Sequence, residues 1–148
     1  MKNMSETSIK TLSEAGWYPK RETDLESTIN FLESKGYVVF SSALHALLEF
    51  DKIRCEFTRR NGDKDSFYID PEQAYGDYYE KDDFAEIEMR VEEALIAIGQ
   101  ARNDNMMMFI SESGKICGET GYLLMKFGDD IYEAMDTLCV SLPAEEIN

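Results

Sequence analysis

The chain has 148 residues, 43% of them hydrophobic, and a formal net charge of −15 from 30 acidic and 15 basic side chains. That length and composition fit one globular domain with a real core and exclude a disordered chain. So acidic a chain is a poor direct binder of nucleic-acid phosphates, and a basic protein is its better-matched partner, although acidity can also serve solubility alone.

Cys55, Cys117 and Cys139 are far apart and odd in number, with no Cys-x-x-Cys and no nearby His. They make neither a disulfide framework nor a zinc site, so buried reduced thiols and a reducing cytoplasm are expected. The first residues lack the apolar core of a signal peptide, and no run approaches the ~18 apolar residues of a membrane span.

A first helix is predicted over residues 5–15, capped by Ser5 or Ser8, with Ile9, Leu12 and Ala15 on one face. Gly16 stops it, and Pro19 prevents its continuation. Between them Trp17 is either an anchor folded onto the domain or, with Lys20 and Arg21, a contact site; the second reading requires a partly exposed indole. A second helix spans 24–35, with Asp24 as N-cap and Leu25, Ile29 and Leu32 as its stripe, and Gly36 ends it. A third spans 41–50, with Leu44, Leu47 and Leu48 inward and His45 solvated.

The period then changes to two. Ile53, Cys55 and Phe57 alternate with polar residues, and Phe67 and Ile69 resume the alternation after Asn61-Gly62. A two-residue loop would put Cys55 opposite Tyr68 and the apolar sets on opposite faces. A three-residue loop, Arg60-Asn61-Gly62, pairs Cys55 with Phe67 and Ile53 with Ile69, so it is predicted, with Gly62 at the bulge. Asp70-Pro71 closes the strand and opens a short helix. Tyr75, Tyr78 and Tyr79 are then interleaved with Asp77, Glu80, Asp82 and Asp83 in what reads as a mobile loop. A helix over 83–95 follows, with Phe84, Ile87, Val91 and Ala94 inward. Strands at 95–100, 106–111, from 116, and over 121–127 lead to a final helix from Asp129 or Asp130 to about Val140. Its core face is Ile131, Ala134, Met135 and Leu138. The acidic tail from Pro143 is expected to fray. Helices, then an antiparallel meander, then a closing helix define an α+β fold in one domain, residues 1–148, with no repeat or linker.

No catalytic pattern emerges. There is no Gly-x-Ser-x-Gly and no phosphate-binding Gly-rich loop. Residues 61–65 do not complete a calcium loop, and the single His has no matched nucleophile. Catalytic, cofactor-binding and metal-ligating residues are therefore all predicted to be none.

Five segments, in order, carry a resemblance. They are Ala15-Gly16-Trp17-x-Pro19-x-Arg21; Phe67-x-Ile69-Asp70-Pro71 with Ala74; Ile96-Ala97-Ile98-Gly99; Ile110-Ser111-Glu112-Ser113-Gly114-Lys115-Ile116; and Gly128-Asp129-x-x-x-Glu133-Ala134. Together they resemble the SUKH superfamily of bacterial immunity proteins, in the subfamily numbered three, over roughly residues 10–140. Family members commonly carry Pro-Gly-Arg where this chain has Pro19-Lys20-Arg21, and a proline where it has Ala97-Ile98. The resemblance implies a non-enzymatic, cofactor-free α+β domain that binds and neutralises a cognate toxin, often a nuclease domain. Trp17, Arg21, Asp70, Pro71, Gly99 and Gly114 match family motifs and read as fold-forming. The toxin contact is assigned instead to the unmatched acidic tyrosine segment: Asp77, Tyr78, Tyr79, Glu80, Asp82, Asp83 and Glu86. The alternative is a regulatory interaction module of the same fold with an endogenous partner. Oligomeric state is left open.

Overall fold

The hairpin at residues 53–69 sets the register of the sheet. In the computed structural model, which describes residues 4–121 and 123–147, strand β1 (Ile53–Thr58) pairs antiparallel with β2 (Lys64–Ile69). Cys55 faces Phe67 and Ile53 faces Ile69, as the parity of the apolar residues requires. The Arg59 amide donates to the Asp63 carbonyl at 2.7 Å and the Gly62 amide to the Arg59 carbonyl at 2.9 Å, which leaves Arg60-Asn61-Gly62 as the loop. Gly62 sits at φ +93°, the left-handed geometry of a bulge glycine.

The meander continues through β3 (Leu95–Ala101), β4 (Met106–Ser111), β5 (Ile116–Glu119), β6 (Leu124–Gly128) and β7 (Glu145–Glu146). Each strand is antiparallel to the next, in chain order, within one seven-stranded sheet. The expected α+β fold is the one observed. The tail departs from expectation. Glu145 and Glu146 pair with β6, and the Ile147 amide donates to the Leu124 carbonyl at 2.7 Å. Ile147 packs against the core, and that apolar contact holds the end of the chain to the sheet. The expectations that fall on residues 1–3, 122 and 148 (the N-terminal reading, one position of the strand expected over 121–127, the end of the tail) lie outside the described residues.

The helices are α1 (Glu6–Glu14), α2 (Glu26–Ser34), α3 (Ser41–Phe50), α4 (Pro71–Tyr75), α5 (Ala85–Val91) and α6 (Ile131–Val140). Side chains of Ser5, Asp70 and Asp130 cap α1, α4 and α6. Helices α1 and α6 pack on each other, α1 on β1, α6 on β6 and α3 on β4, while α4 lies against β3 and α2 against α4. Three inward faces differ from the hydrophobic pattern. On α1, Ser8 is buried and Ile9 exposed, because the Ser8 hydroxyl donates to Asp136 on α6 at 2.5 Å. On α2, Thr28 is buried because its hydroxyl donates to Asp51 at 2.7 Å. On α3, Ala43, Ala46, Leu47 and Phe50 are buried, and Leu44 and Leu48 flank them half-buried. The expected 83–95 helix is a 3-10 turn (Lys81–Phe84) running into α5, which ends where Glu92 turns left-handed at φ +64°. Asp24 does not cap α2 from the N-cap position, which Leu25 holds; it accepts from the Glu26 amide instead.

A polar cluster closes the C-terminal end of α3. Trp17 is 4% exposed, stacks on Phe50 and donates to Glu49 at 2.9 Å. It is an anchor, and its burial sets the contact-site reading aside. Arg21 donates to the Glu49 and Asp51 carbonyls at 2.8 Å each, a cation on the negative end of a helix. Lys20 adopts φ +62°, the conformation that suits the glycine common at this place in the resembled family. Cys55, Cys117 and Cys139 are free and buried, and burial pushes the Cys55 and Cys139 thiols up to about 12.

Asp51 is fully buried. Its Oδ2 accepts from Thr28, its Oδ1 has no protein partner, and burial raises its carboxyl above the ordinary 3.8. A carboxyl raised by folding costs stability where it is ionised, and that cost disappears as pH falls through its folded value. Stability of the wild type relative to Asp51→Asn is therefore expected to rise as pH is lowered from 7 toward 4, read by urea unfolding at each pH. Gly99 offers a second check. A Cβ there would lie 1.8 Å from the Tyr68 carbonyl oxygen across the β2–β3 pair. Gly99→Ala should cost about 3 kcal/mol or more by the same unfolding measurement.

Candidate functional site: the acidic tyrosine segment

The segment begins where β2 leaves the sheet. The β2–β3 ladder covers Tyr68 with Gln100 and Ile69 with Gly99, and the Asp70 amide then donates to the Ile98 carbonyl at 2.7 Å. Ile98 is the extra residue of a bulge between Ala97 and Gly99, a place where a strand also accepts proline. Below the bulge β3 is flanked by α4. Tyr75, fully buried at the end of α4, accepts the Ala97 amide on its hydroxyl at 3.2 Å and donates to the Tyr37 hydroxyl. Burial pushes the Tyr37 phenol up to about 12 and the Tyr75 phenol higher still, so both stay neutral.

From Tyr75 the chain turns outward. Gly76 takes φ +54°, and the Tyr78 and Tyr79 amides both donate to the Tyr75 carbonyl, at 3.3 and 3.2 Å. The chain is then tied back to the C-terminal end of α2. Lys35 donates to the Tyr79 carbonyl at 3.2 Å and pairs with Glu80 at 3.0 Å. Lys81 reaches the other way, over the Tyr37 ring at 5.5 Å. Glu80 and Asp83 close the 3-10 turn, the Glu80 amide donating to Asp83 at 2.7 Å. Phe84 is the apolar root of the segment, edge-on to Phe109 at 4.9 Å and to Tyr75 at 5.7 Å. The loop expected to be mobile is thus held at both ends and in the middle.

The structure gathers all seven sequence-assigned residues on one continuous stretch and leaves them at the surface. Tyr78 is 88% exposed and Tyr79 40%, with the Tyr79 ring leaning on Phe84 at 5.5 Å. Asp77, Asp82 and Glu86 project into solvent, whereas Glu80 and Asp83 also hold the turn. The most exposed apolar residues that sequence reasoning did not find are Val38, 89% exposed directly after the Gly36–Tyr37 strip that Lys81 touches, and Met89 on α5. A single exposed Val or Met carries no sequence signal, since only burial marks it as unusual. A cleft of about 530 Å³ borders the segment, lined by Phe31, Lys52, Asp70, Glu72, Gln73, Gly76 and Asp77. Among the described residues no group of His, Cys, Asp or Glu is arranged to hold a metal ion, and no helix is long and apolar enough to cross a membrane.

Fold and site together define a small antiparallel α+β domain with an exposed acidic and aromatic segment. The family model of the SUKH-3 immunity proteins matches residues 4–141, and the chain belongs to that family. Membership supports an immunity role and implies a cognate toxin as the partner; such proteins are in general not enzymes. No curated protein and no solved structure matches the chain significantly.

One phenol ties the root of the segment to the sheet. Tyr75→Phe removes the acceptor for the buried Ala97 amide and the donor to Tyr37, and should cost about 1–3 kcal/mol. Hydrogen exchange should speed up at Ala97 and across residues 76–84 more than in β4 and β5.

Proposed function

We propose that this chain neutralises a basic nuclease toxin domain in the cytoplasm by covering its phosphate-binding surface with the acidic tyrosine segment. The observation that carries this reading is the exposed row of Asp77, Tyr78, Tyr79, Glu80, Asp82, Asp83 and Glu86 on a chain of net charge −15. A nuclease must hold phosphates and so presents Lys and Arg. Carboxylates at matching positions compete for those cations and steer the two proteins together. Tyrosine adds contact area with few rotatable bonds to freeze, and Tyr78, projecting from a fixed turn, is placed as the central anchor. Lys35 and Lys81 fix the segment before the partner arrives, which lowers the entropy lost on binding. No cofactor or metal enters this mechanism, because inhibition by covering a surface requires no bond to be made or broken.

Charge and anchor separate kinetically. Amides at Asp77, Asp82 and Glu86, which leave the Glu80–Asp83 turn intact, should slow association with the toxin by about tenfold or more and flatten its salt dependence. Tyr78→Ala should instead raise the off-rate, with a loss of about 2 kcal/mol or more. Surface plasmon resonance against the catalytically inactive toxin domain reads both rates. Unchanged rates in both variants would remove the segment from the interface while leaving the family assignment in place.

A further inference from the structure

The two edges of the sheet are built differently. On one side β7 is two residues long, both glutamates, and follows Pro143, so an approaching copy of the chain meets like charge and almost no ladder. On the other side β1 is six residues long with no proline. The β1–β2 register and the Arg59–Asp63 bond direct the amides and carbonyls of Ile53, Cys55, Phe57 and Arg59 toward β2. Those of Arg54, Glu56 and Thr58 point away from the sheet. Among the described residues none of these outward groups makes a hydrogen bond, and the three residues are exposed. Helix α1 borders this edge without closing it: Thr11, Glu14 and Ala15 form a groove of about 330 Å³ with Arg54 and Glu56.

The side chains on the edge choose an occupant. For two antiparallel copies of β1, the outward groups engage only when residues 54, 56 and 58 face one another. Pairing Glu56 with Glu56 of a second copy sets carboxylate against carboxylate. Pairing Arg54 with Glu56, about a two-fold axis at Cys55, sets opposite charges across the junction twice and exchanges the outward amides and carbonyls of both residues. In that register Ile53 lies opposite Phe57, so the apolar face also continues across the junction. Among the described residues Glu56 makes no ion pair, and Arg54 lies over the Tyr68 ring at 5.5 Å and makes an exposed contact with Asp104 at 3.5 Å. We propose that β1 is a homodimer edge, joining two copies into one continuous antiparallel sheet through reciprocal Arg54–Glu56 pairs. The acidic tyrosine segment takes no part in this junction, so the proposal stands apart from the toxin reading.

Two short strands bury less than about 1,000 Å² and make a weak dimer, with a dissociation constant of about 10–100 μM. Sedimentation equilibrium at about 0.15 M salt, where long-range repulsion between the acidic chains is screened, should show the mass rising with concentration from 17.0 kDa toward twice that value. Glu56→Pro removes an outward amide and no bond to β2, so it should weaken the dimer at least tenfold with near-UV dichroism unchanged. Arg54→Glu should do the same by opposing carboxylates, and Arg54→Glu with Glu56→Arg should restore the wild-type constant. This charge-reversal series decides the matter even if the proline variant does not fold. A wild-type chain that stays at 17.0 kDa up to several hundred micromolar, or a dimer whose strength the charge reversals leave untouched, would overturn the proposal.

Discussion

The bond from the Ala97 amide to the Tyr75 hydroxyl is the point on which the surface segment depends. Interior strands satisfy their amides with neighbouring strands, but β2 departs at Asp70 and leaves part of β3 without that neighbour. A buried amide without a partner is costly. Tyr75 supplies the acceptor, and in doing so fixes α4 against the sheet and determines where the next residues emerge. Tyr37 accepts the Tyr75 proton, so α2 and the strip after it are tied to the same place. An internal requirement of the sheet thereby positions an external surface.

The same logic operates at the end of α3, with different chemistry. There Glu49 accepts from Trp17 on one oxygen and from Tyr132 on the other, and Arg21 covers the last carbonyls. These bonds join the turn after α1, the end of α3 and the start of α6. Net charge is unevenly used. Basic residues are spent on internal duties: Arg21 on a helix end, Arg59 on the buried Asp65, Lys35 and Lys81 on the segment. The carboxylates of Asp77, Asp82 and Glu86 have no such duty and face water.

Much of this fold was legible in the sequence because period and parity are strict constraints. The alternation of Ile53, Cys55, Phe57, Phe67 and Ile69 determined the loop length and the register, and Asp70-Pro71 and the pair Asp129-Asp130 announced the helices that Asp70 and Asp130 cap. The errors at Ser8, Thr28 and the tail share one cause. Ser8 and Thr28 turned inward because Asp136 and Asp51 were waiting for them, and a partner more than twenty residues away leaves no local trace. The tail was misread because its pairing partner, β6, is likewise distant in the chain. The candidate segment was visible as an unusual mixture of tyrosine and carboxylate. Its fixed geometry was not, because it depends on Lys35, Lys81 and Phe84 meeting groups from other elements.

The account centres on protection by binding. Co-expressing this chain with its cognate toxin domain, and scoring growth together with co-purification, tests that most directly. The account predicts restored growth and a stoichiometric complex. Persistent toxicity with no complex, from a chain shown to be folded and expressed, would contradict it.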